Sequence, residues 1–118
     1  MKNIYHISLL LDFYGQLLTK RQQEILDLHI NNDYSLGEIS EQLDISRQGV
    51  YDNVKRGKAA LYEFEEKLGL IKKFSEQKEI AMKIVKLLSE IDKKNMSQDD
   101  IEKLNQVKNG IIDIVNGL

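Results

Sequence analysis

Apolar residues recur at helical spacing from the start of the chain. They predict a first helix over residues 4–14, because they repeat every three or four positions and Gly15 follows as a helix stop. A second helix is expected to begin at Thr19, which forms a capping box with Gln22, and to end near residues 31–33. The first apolar stripe is Ile4, Ile7, Leu10, Leu11 and Tyr14, and the second comprises Ile25, Leu26, Leu28 and His29.

Two more helices are predicted in close succession. Ser35 and Glu38 form a second capping box, which predicts a short helix over residues 36–43. Asp44 then makes a turn, and Ser46 is a favourable N-cap for a fourth helix. Its inward stripe is expected to contain Val50, Val54, Gly57, Leu61, Phe64 and Leu68.

The fourth helix is expected to continue to a stop at Gly69, which makes it about 33 Å long at 1.5 Å per residue. Its second half therefore extends beyond a small three-helix core. After it, two amphipathic helices are predicted to form a hairpin, with a break at residues 93–96 and a cap at Ser97. Their stripes are Ile80, Ile84, Leu87, Leu88 and Ile91, followed by Ile101, Leu104, Val107, Ile111, Ile114 and Val115.

The pattern predicts an all-α fold with a helix-turn-helix domain over residues 1–68 and a C-terminal helical hairpin over residues 69–118. Apolar stripes are more often a core within one chain than a surface for a partner. The long fourth helix and the hairpin nevertheless offer more apolar face than one small bundle needs. A two-fold homodimer through the hairpin is the expected solution.

The segment from Tyr34 to Arg56, YSLGEISEQLDISRQGVYDNVKR, has the layout of a helix-turn-helix unit. Two capped helices flank a short turn, and polar groups follow the start of the second helix. Two residues depart from the common pattern, since Asp44 stands in place of a turn glycine and Gly49 in place of a polar residue. Asp44 tolerates the left-handed turn conformation. The residues expected to pack the two helices together are Ile39, Leu43, Ile45, Val50 and Val54.

Polar residues at the start of the fourth helix are the candidate nucleic-acid ligands. Arg can donate two hydrogen bonds to guanine and Gln can pair with adenine, whereas Lys55 and Arg56 are expected to contact phosphates. The same residues could instead form an ordinary solvated helix face. Tyr51 could stack on a base or fill the groove between the helices. The candidate binding residues are Ser46, Arg47, Gln48, Tyr51, Lys55 and Arg56.

Four strings in order resemble the YlxM family: DFYGQLLT (12–19), DYSLGEIS (33–40), SRQGVYDNVKR (46–56) and FEEKLGL (64–70). The stretch from Leu17 to Leu61 also resembles the fourth conserved region of sigma factors. The family resemblance implies a non-enzymatic helix-turn-helix regulator linked to the signal recognition particle pathway. It further implies that the partner is the RNA of the particle or its protein subunit instead of a promoter, while the helix-turn-helix layout itself keeps DNA as an alternative.

Charge keeps a second hypothesis open. The net charge is −2 overall, and residues 19–67 carry −3, from seven bases and ten acids. A region of this charge is poorly suited to tight binding driven by electrostatics alone. The alternative is therefore a protein-interaction module that docks on a basic partner, such as the GTPase subunit of the particle or the transcription machinery.

Several chemistries have no support in the sequence. The chain lacks cysteine, so disulfides and thiolate sites are excluded, and it has no glycine-rich phosphate loop. His6 and His29 are expected to be structural, and the acids at positions 63, 65 and 66 point in different directions on a helix. We therefore expect no catalysis, cofactor or metal. With no signal peptide and no apolar run that could span a bilayer, the expected location is the cytoplasm.

Overall fold

The computed structural model describes the backbone of residues 4–117 and the side chains of residues 6–117, and this part of the chain contains helices and no strand. The predicted all-α fold is confirmed. The chain divides into two compact units, Met1–Ile71 and Lys72–Leu118. The helices are α1 (Ile4–Tyr14), α2 (Lys20–Leu26), α3 (Leu36–Leu43), α4 (Arg47–Leu68), α5 (Leu70–Glu90) and α6 (Gln98–Gly117).

The predicted helix starts are confirmed by their capping hydrogen bonds. In the first capping box, the Thr19 hydroxyl accepts from the Gln22 backbone N–H at 3.1 Å and the Gln22 side chain accepts from the Thr19 N–H at 3.3 Å. Ser35 and Glu38 form the same reciprocal pair, with distances of 3.1 and 3.0 Å. The Ser97 hydroxyl caps α6 by accepting from the Asp100 N–H at 3.1 Å. These bonds satisfy N–H groups that would otherwise lack a partner within their helix.

The second helical segment ends at Asn31, within the predicted range, but its last turn is wider than an α-helical turn. After α2 the chain continues through one wider turn, Asp27–Asn31, in which the Asn32 N–H donates to the Asp27 carbonyl at 3.1 Å, five residues back. Such turns are rare within helices and often occur at functional sites. The backbone carbonyl oxygen of Tyr34 lies 2.8 Å from Nδ1 of His29, so a second hydrogen bond joins this turn to the residues that follow it. His29 therefore has a structural position.

Helix α4 is the common packing partner of α1, α2 and α3 in the first unit. Its closest approach is to α2, where Gly57 faces Leu26: a Cβ atom on Gly57 would lie 2.7 Å from Cδ1 of Leu26. Leu68, expected in the inward stripe of α4, is 54% exposed instead. The fully buried side chains of the core are Leu10, Tyr14, Ile25, Leu26, Ile39, Val50 and Leu61.

A hydrogen-bonded junction fastens α1 to the end of α4. The buried Tyr14 hydroxyl donates to the Glu65 carboxylate and accepts from the Leu70 N–H at 3.1 Å, and Glu65 also accepts from the Ile71 N–H at 3.1 Å. Burial raises the pKa of Tyr14 above its usual value, and the hydrogen bond to Glu65 raises it further. Gly69 makes the junction possible, because its φ of +60° is a left-handed conformation that ends α4 and lets α5 begin at the next residue.

The second unit buries a different face of α5 from the one the sequence predicts. Val85 is 9% exposed, and it lies about 140° around the helix from Ile80 at 100° per residue. Four of the five residues of the expected inward stripe are exposed, and Leu88 is half-buried. Val115 of α6 is buried as expected, at 7% exposure. The exposed apolar residues of the predicted stripes are Ile80, Ile84, Leu87, Ile91, Val107 and Ile114.

We expect the Gly57→Ala variant to lower the free energy of unfolding by about 1–3 kcal/mol, because the added methyl group would collide with Leu26 in a packed core. Gly110→Ala is the matched control. A Cβ atom at Gly110 meets nothing within 4 Å, so this change in α6 should stabilise the chain by about 0.5–1 kcal/mol. Urea unfolding followed by circular dichroism measures both. Equal stabilisation by the two changes would show that Gly57 does not constrain α4.

We expect the Tyr14→Phe variant to lose about 1–3 kcal/mol of unfolding free energy, because it removes two hydrogen bonds from a buried position. Tyr51→Phe removes the same hydroxyl from a side chain that is 47% exposed, so its effect should stay within about 0.5 kcal/mol. The same urea titration compares them. If the two variants were equally stable, the junction would contribute nothing.

Candidate nucleic-acid interface

Helices α3 and α4 and the turn between them form the helix-turn-helix unit. Asp44 adopts the left-handed conformation, with φ 55° and ψ 47°, and the Ile45 N–H donates to the Ser40 carbonyl at 3.2 Å. The Ser40 hydroxyl in turn donates to the Ile45 carbonyl. An aspartate thus fills the place of the usual turn glycine, as the sequence predicted. The apolar residues that pack the two helices are buried at Ile39, Val50 and Val54 and half-buried at Leu43 and Ile45.

The first turns of α4 present polar side chains to the outside while burying valines. Val50 is fully buried and Val54 is 7% exposed. Tyr51 is 47% exposed, which places it on the surface and not in the groove between the helices. The binding role of these side chains stays a prediction. The candidate binding residues Ser46, Arg47, Gln48, Tyr51, Lys55 and Arg56 are all exposed.

Two of the candidates already have hydrogen-bond partners. The Ser46 hydroxyl caps α4 by accepting from the Gly49 N–H at 2.9 Å, and its own proton remains to donate. The Gln48 amide donates to the Asp52 carboxylate at 3.0 Å, one turn further along the helix. Gln48 must therefore exchange this bond before it can pair with a base. Gly49 also has a local role, since a Cβ atom there would lie 3.2 Å from the capping Ser46 hydroxyl.

Lys58 is a cation on this face that the sequence analysis missed. It follows Tyr51 by seven residues and Lys55 by three, so the three side chains lie on one side of α4. Continuing the same spacing for one more turn would have found it. Within residues 6–117, the cations Arg47, Lys55, Arg56 and Lys58 form no ion pair. Arg47, Tyr51, Lys55 and Lys58 lie within about 80° of one another around α4, and we call these four residues the cationic face; Arg56 lies about 180° from Arg47, outside this face.

Some acids of the first unit lie away from the cationic face. An open groove beside α1 and α2 is lined by Asp12, Glu24 and Asp27, together with Lys20 and Arg21. Arg21 pairs with Glu24 at 3.4 Å, so part of this charge is locally balanced. Near the helix-turn-helix, the Ser35 N–H and hydroxyl hold the pKa of Glu38 below its usual value. That carboxylate therefore stays ionised as part of the cap of α3.

Among the residues that the structure describes, no cluster of three or more His, Asp or Glu side chains could hold a metal ion. The His6 ring lies 5.7 Å from that of Tyr62, in a tilted aromatic contact. No helix within residues 4–117 is long and apolar enough to cross a membrane.

The fold and the α3–α4 geometry define an all-α helix-turn-helix protein. The sequence profile of the family described as "helix-turn-helix protein, YlxM / p13 like" (UPF0122) matches residues 1–107. The chain belongs to this family, as its motifs predicted. A UPF0122 protein from Acetivibrio thermocellus is 60% identical over 115 residues, which cover 98% of each chain.

Two further relatives show how the similarity is distributed. A UPF0122 protein from Bacillus velezensis is 45% identical over 101 residues, covering 86% of this chain and 92% of its own. One from Thermoanaerobacter pseudethanolicus is 63% identical over 70 residues, covering 59% of this chain and 60% of its own. The similarity thus reaches full length in some relatives.

Proposed function

We propose that this chain is a non-enzymatic regulator that binds nucleic acid through the cationic face and takes part in the signal recognition particle pathway in the cytoplasm. The RNA of the particle is the favoured ligand, and DNA is the other outcome of the test. One observation carries the proposal: three unpaired cations, Arg47, Lys55 and Lys58, lie with the exposed Tyr51 on one side of α4, while the valines on another side of the helix are buried. A recognition helix requires this arrangement, in which one side packs against the domain and another side is exposed to the nucleic acid.

The charge distribution restricts how such binding works. Residues 19–67 carry a net charge of −3, so long-range attraction to a polyanion is weak and close contacts must supply the affinity. Tyr51 offers a flat ring for stacking on an unpaired base, a contact typical of RNA loops. Lys55 and Lys58 lie one and two turns further along the same side of α4, where they could contact neighbouring phosphates. A folded RNA with accessible bases fits this combination better than a uniform duplex does.

We expect Arg47→Ala to weaken binding about tenfold and Lys55→Ala to make the salt dependence shallower by about one phosphate contact. Lys83→Ala is the control, because Lys83 is an exposed lysine of α5 that already pairs with Glu79 at 3.8 Å. Fluorescence anisotropy with labelled signal recognition particle RNA, and separately with duplex DNA, gives the affinities at several salt concentrations.

Unchanged affinity in both the Arg47 and the Lys55 variants would contradict the proposed interface. A wild-type chain that binds duplex DNA more tightly than the RNA would identify DNA as the ligand. If neither nucleic acid binds, the protein-docking hypothesis gains, and the acids Asp12, Glu24 and Asp27 favour a basic protein partner for it. Pull-down of the GTPase subunit of the particle after nuclease treatment separates direct contact from bridging by RNA.

We also propose that the second unit forms a two-fold homodimer. Ile80, Ile84, Leu87 and Ile91 follow one another at helical spacing on α5 and are 58%, 41%, 63% and 42% exposed. Contiguous apolar surface of this kind marks an interaction site. A second copy of the same stripe matches it in chemistry and spacing, which is the condition for an isologous interface.

We expect Ile84→Glu combined with Leu87→Glu to convert a dimer into a monomer, because the new carboxylates would face each other across the interface. Lys86→Glu is the control, since it adds a carboxylate to the same helix outside the stripe. Sedimentation equilibrium reports the mass of each. A monomeric wild-type chain, or a doubly substituted chain that still forms dimers, would refute this arrangement.

A further inference from the structure

Gly37 occupies a position where the backbone does not require glycine. It lies in the first turn of α3, and among the described glycines a positive φ occurs at Gly69 alone. Glycine within a helix costs stability relative to alanine, because it loses more conformational freedom on folding. A reason for its presence must therefore come from what lies beside it.

The neighbour of Gly37 is the guanidinium group of Arg47. A Cβ atom built on Gly37 would lie 3.0 Å from Nη2, 3.2 Å from Cζ and 3.3 Å from Nε of Arg47. Three atoms of one planar group at such similar distances mean that the guanidinium lies flat over the glycine. All three distances are shorter than ordinary van der Waals contacts, so a side chain at residue 37 would require the guanidinium to move by a few tenths of an ångström.

This contact restrains a side chain that would otherwise be mobile. Arg47 is the first residue of α4 and is exposed, and its long side chain has many rotamers in solution. Resting on α3 restricts them before any ligand arrives, and restricting a binding group in advance increases affinity. The guanidinium is planar and remains charged, so its orientation determines which phosphate or base edge it can meet.

We infer that Gly37 is a positioning residue: because it has no side chain, it leaves a flat surface on α3 that orients the Arg47 guanidinium for nucleic acid. This inference rests on the proposed function and extends it to a residue that would not itself touch the ligand. The tip of an arginine moves easily, whereas the α3 backbone does not. An alanine at position 37 would therefore displace the guanidinium and leave the fold intact.

Stability and binding should consequently change in opposite directions in the Gly37→Ala variant. We expect the Tm to rise by about 4 °C, because alanine is the better helix former. We expect the affinity for signal recognition particle RNA, or for duplex DNA if that is the ligand, to fall about fivefold. A merely structural role for Gly37 would instead lower both together or change neither.

A double-mutant cycle ties the effect to Arg47. Gly37→Ala should cause no further loss of affinity in an Arg47→Ala background, because no guanidinium remains to be displaced. Gly110→Ala is the matched control: a Cβ atom there meets nothing within 4 Å, so its Tm should also rise while its affinity stays that of the wild type. Anisotropy and thermal unfolding on the same preparations give both quantities.

The possible failures are distinguishable. A wild-type chain that binds neither probe overturns the proposed function, and the positioning role with it. A wild-type chain that binds, with Gly37→Ala binding equally well, overturns the positioning role alone. The same holds if Gly37→Ala loses stability, or if its loss of affinity persists in the Arg47→Ala background.

Discussion

The close approach of α4 to α2 at Gly57 and Leu26 is the constraint on which the first unit depends. A single added carbon at position 57 would lie 2.7 Å from a methyl group of Leu26. Because α4 and α2 can pack closely there, α4 also contacts α1 and α3. All three helices therefore share α4 as a packing partner. The rotation of α4 about its axis is then fixed, since Val50, Val54 and Leu61 must all point inward.

The same rotation of α4 determines which of its side chains are exposed to solvent. Outside the buried stripe, Arg47, Tyr51 and Lys55 are exposed to solvent, and Lys58 is partly exposed. A locally positive strip thus forms on a unit whose overall charge is negative. Such a surface favours selectivity over affinity, because distant phosphates are repelled while well-placed ones are bound.

The first four helices were predictable because their signals are local. The caps at Thr19, Ser35 and Ser46 lie within three residues of the N–H groups they satisfy, so sequence spacing contains the information. The exposure of the candidate site followed from the burial of the valines. Contacts between distant residues were not predictable: the buried face of α5 follows Val85 and not Ile80, and nothing in the spacing places Arg47 on Gly37. Both depend on how already formed helices pack.

The junction at Tyr14 joins parts of the chain that are far apart in sequence. Its hydroxyl meets Glu65 across 51 residues and the Leu70 N–H across 56. Contacts between residues this far apart in sequence form late in folding, because closing the intervening loop costs conformational entropy. During synthesis, α1 leaves the ribosome before Glu65 and Leu70, so these two hydrogen bonds cannot form until both residues have emerged. The last attachment of α1 is therefore completed only after nearly the whole first unit has been translated.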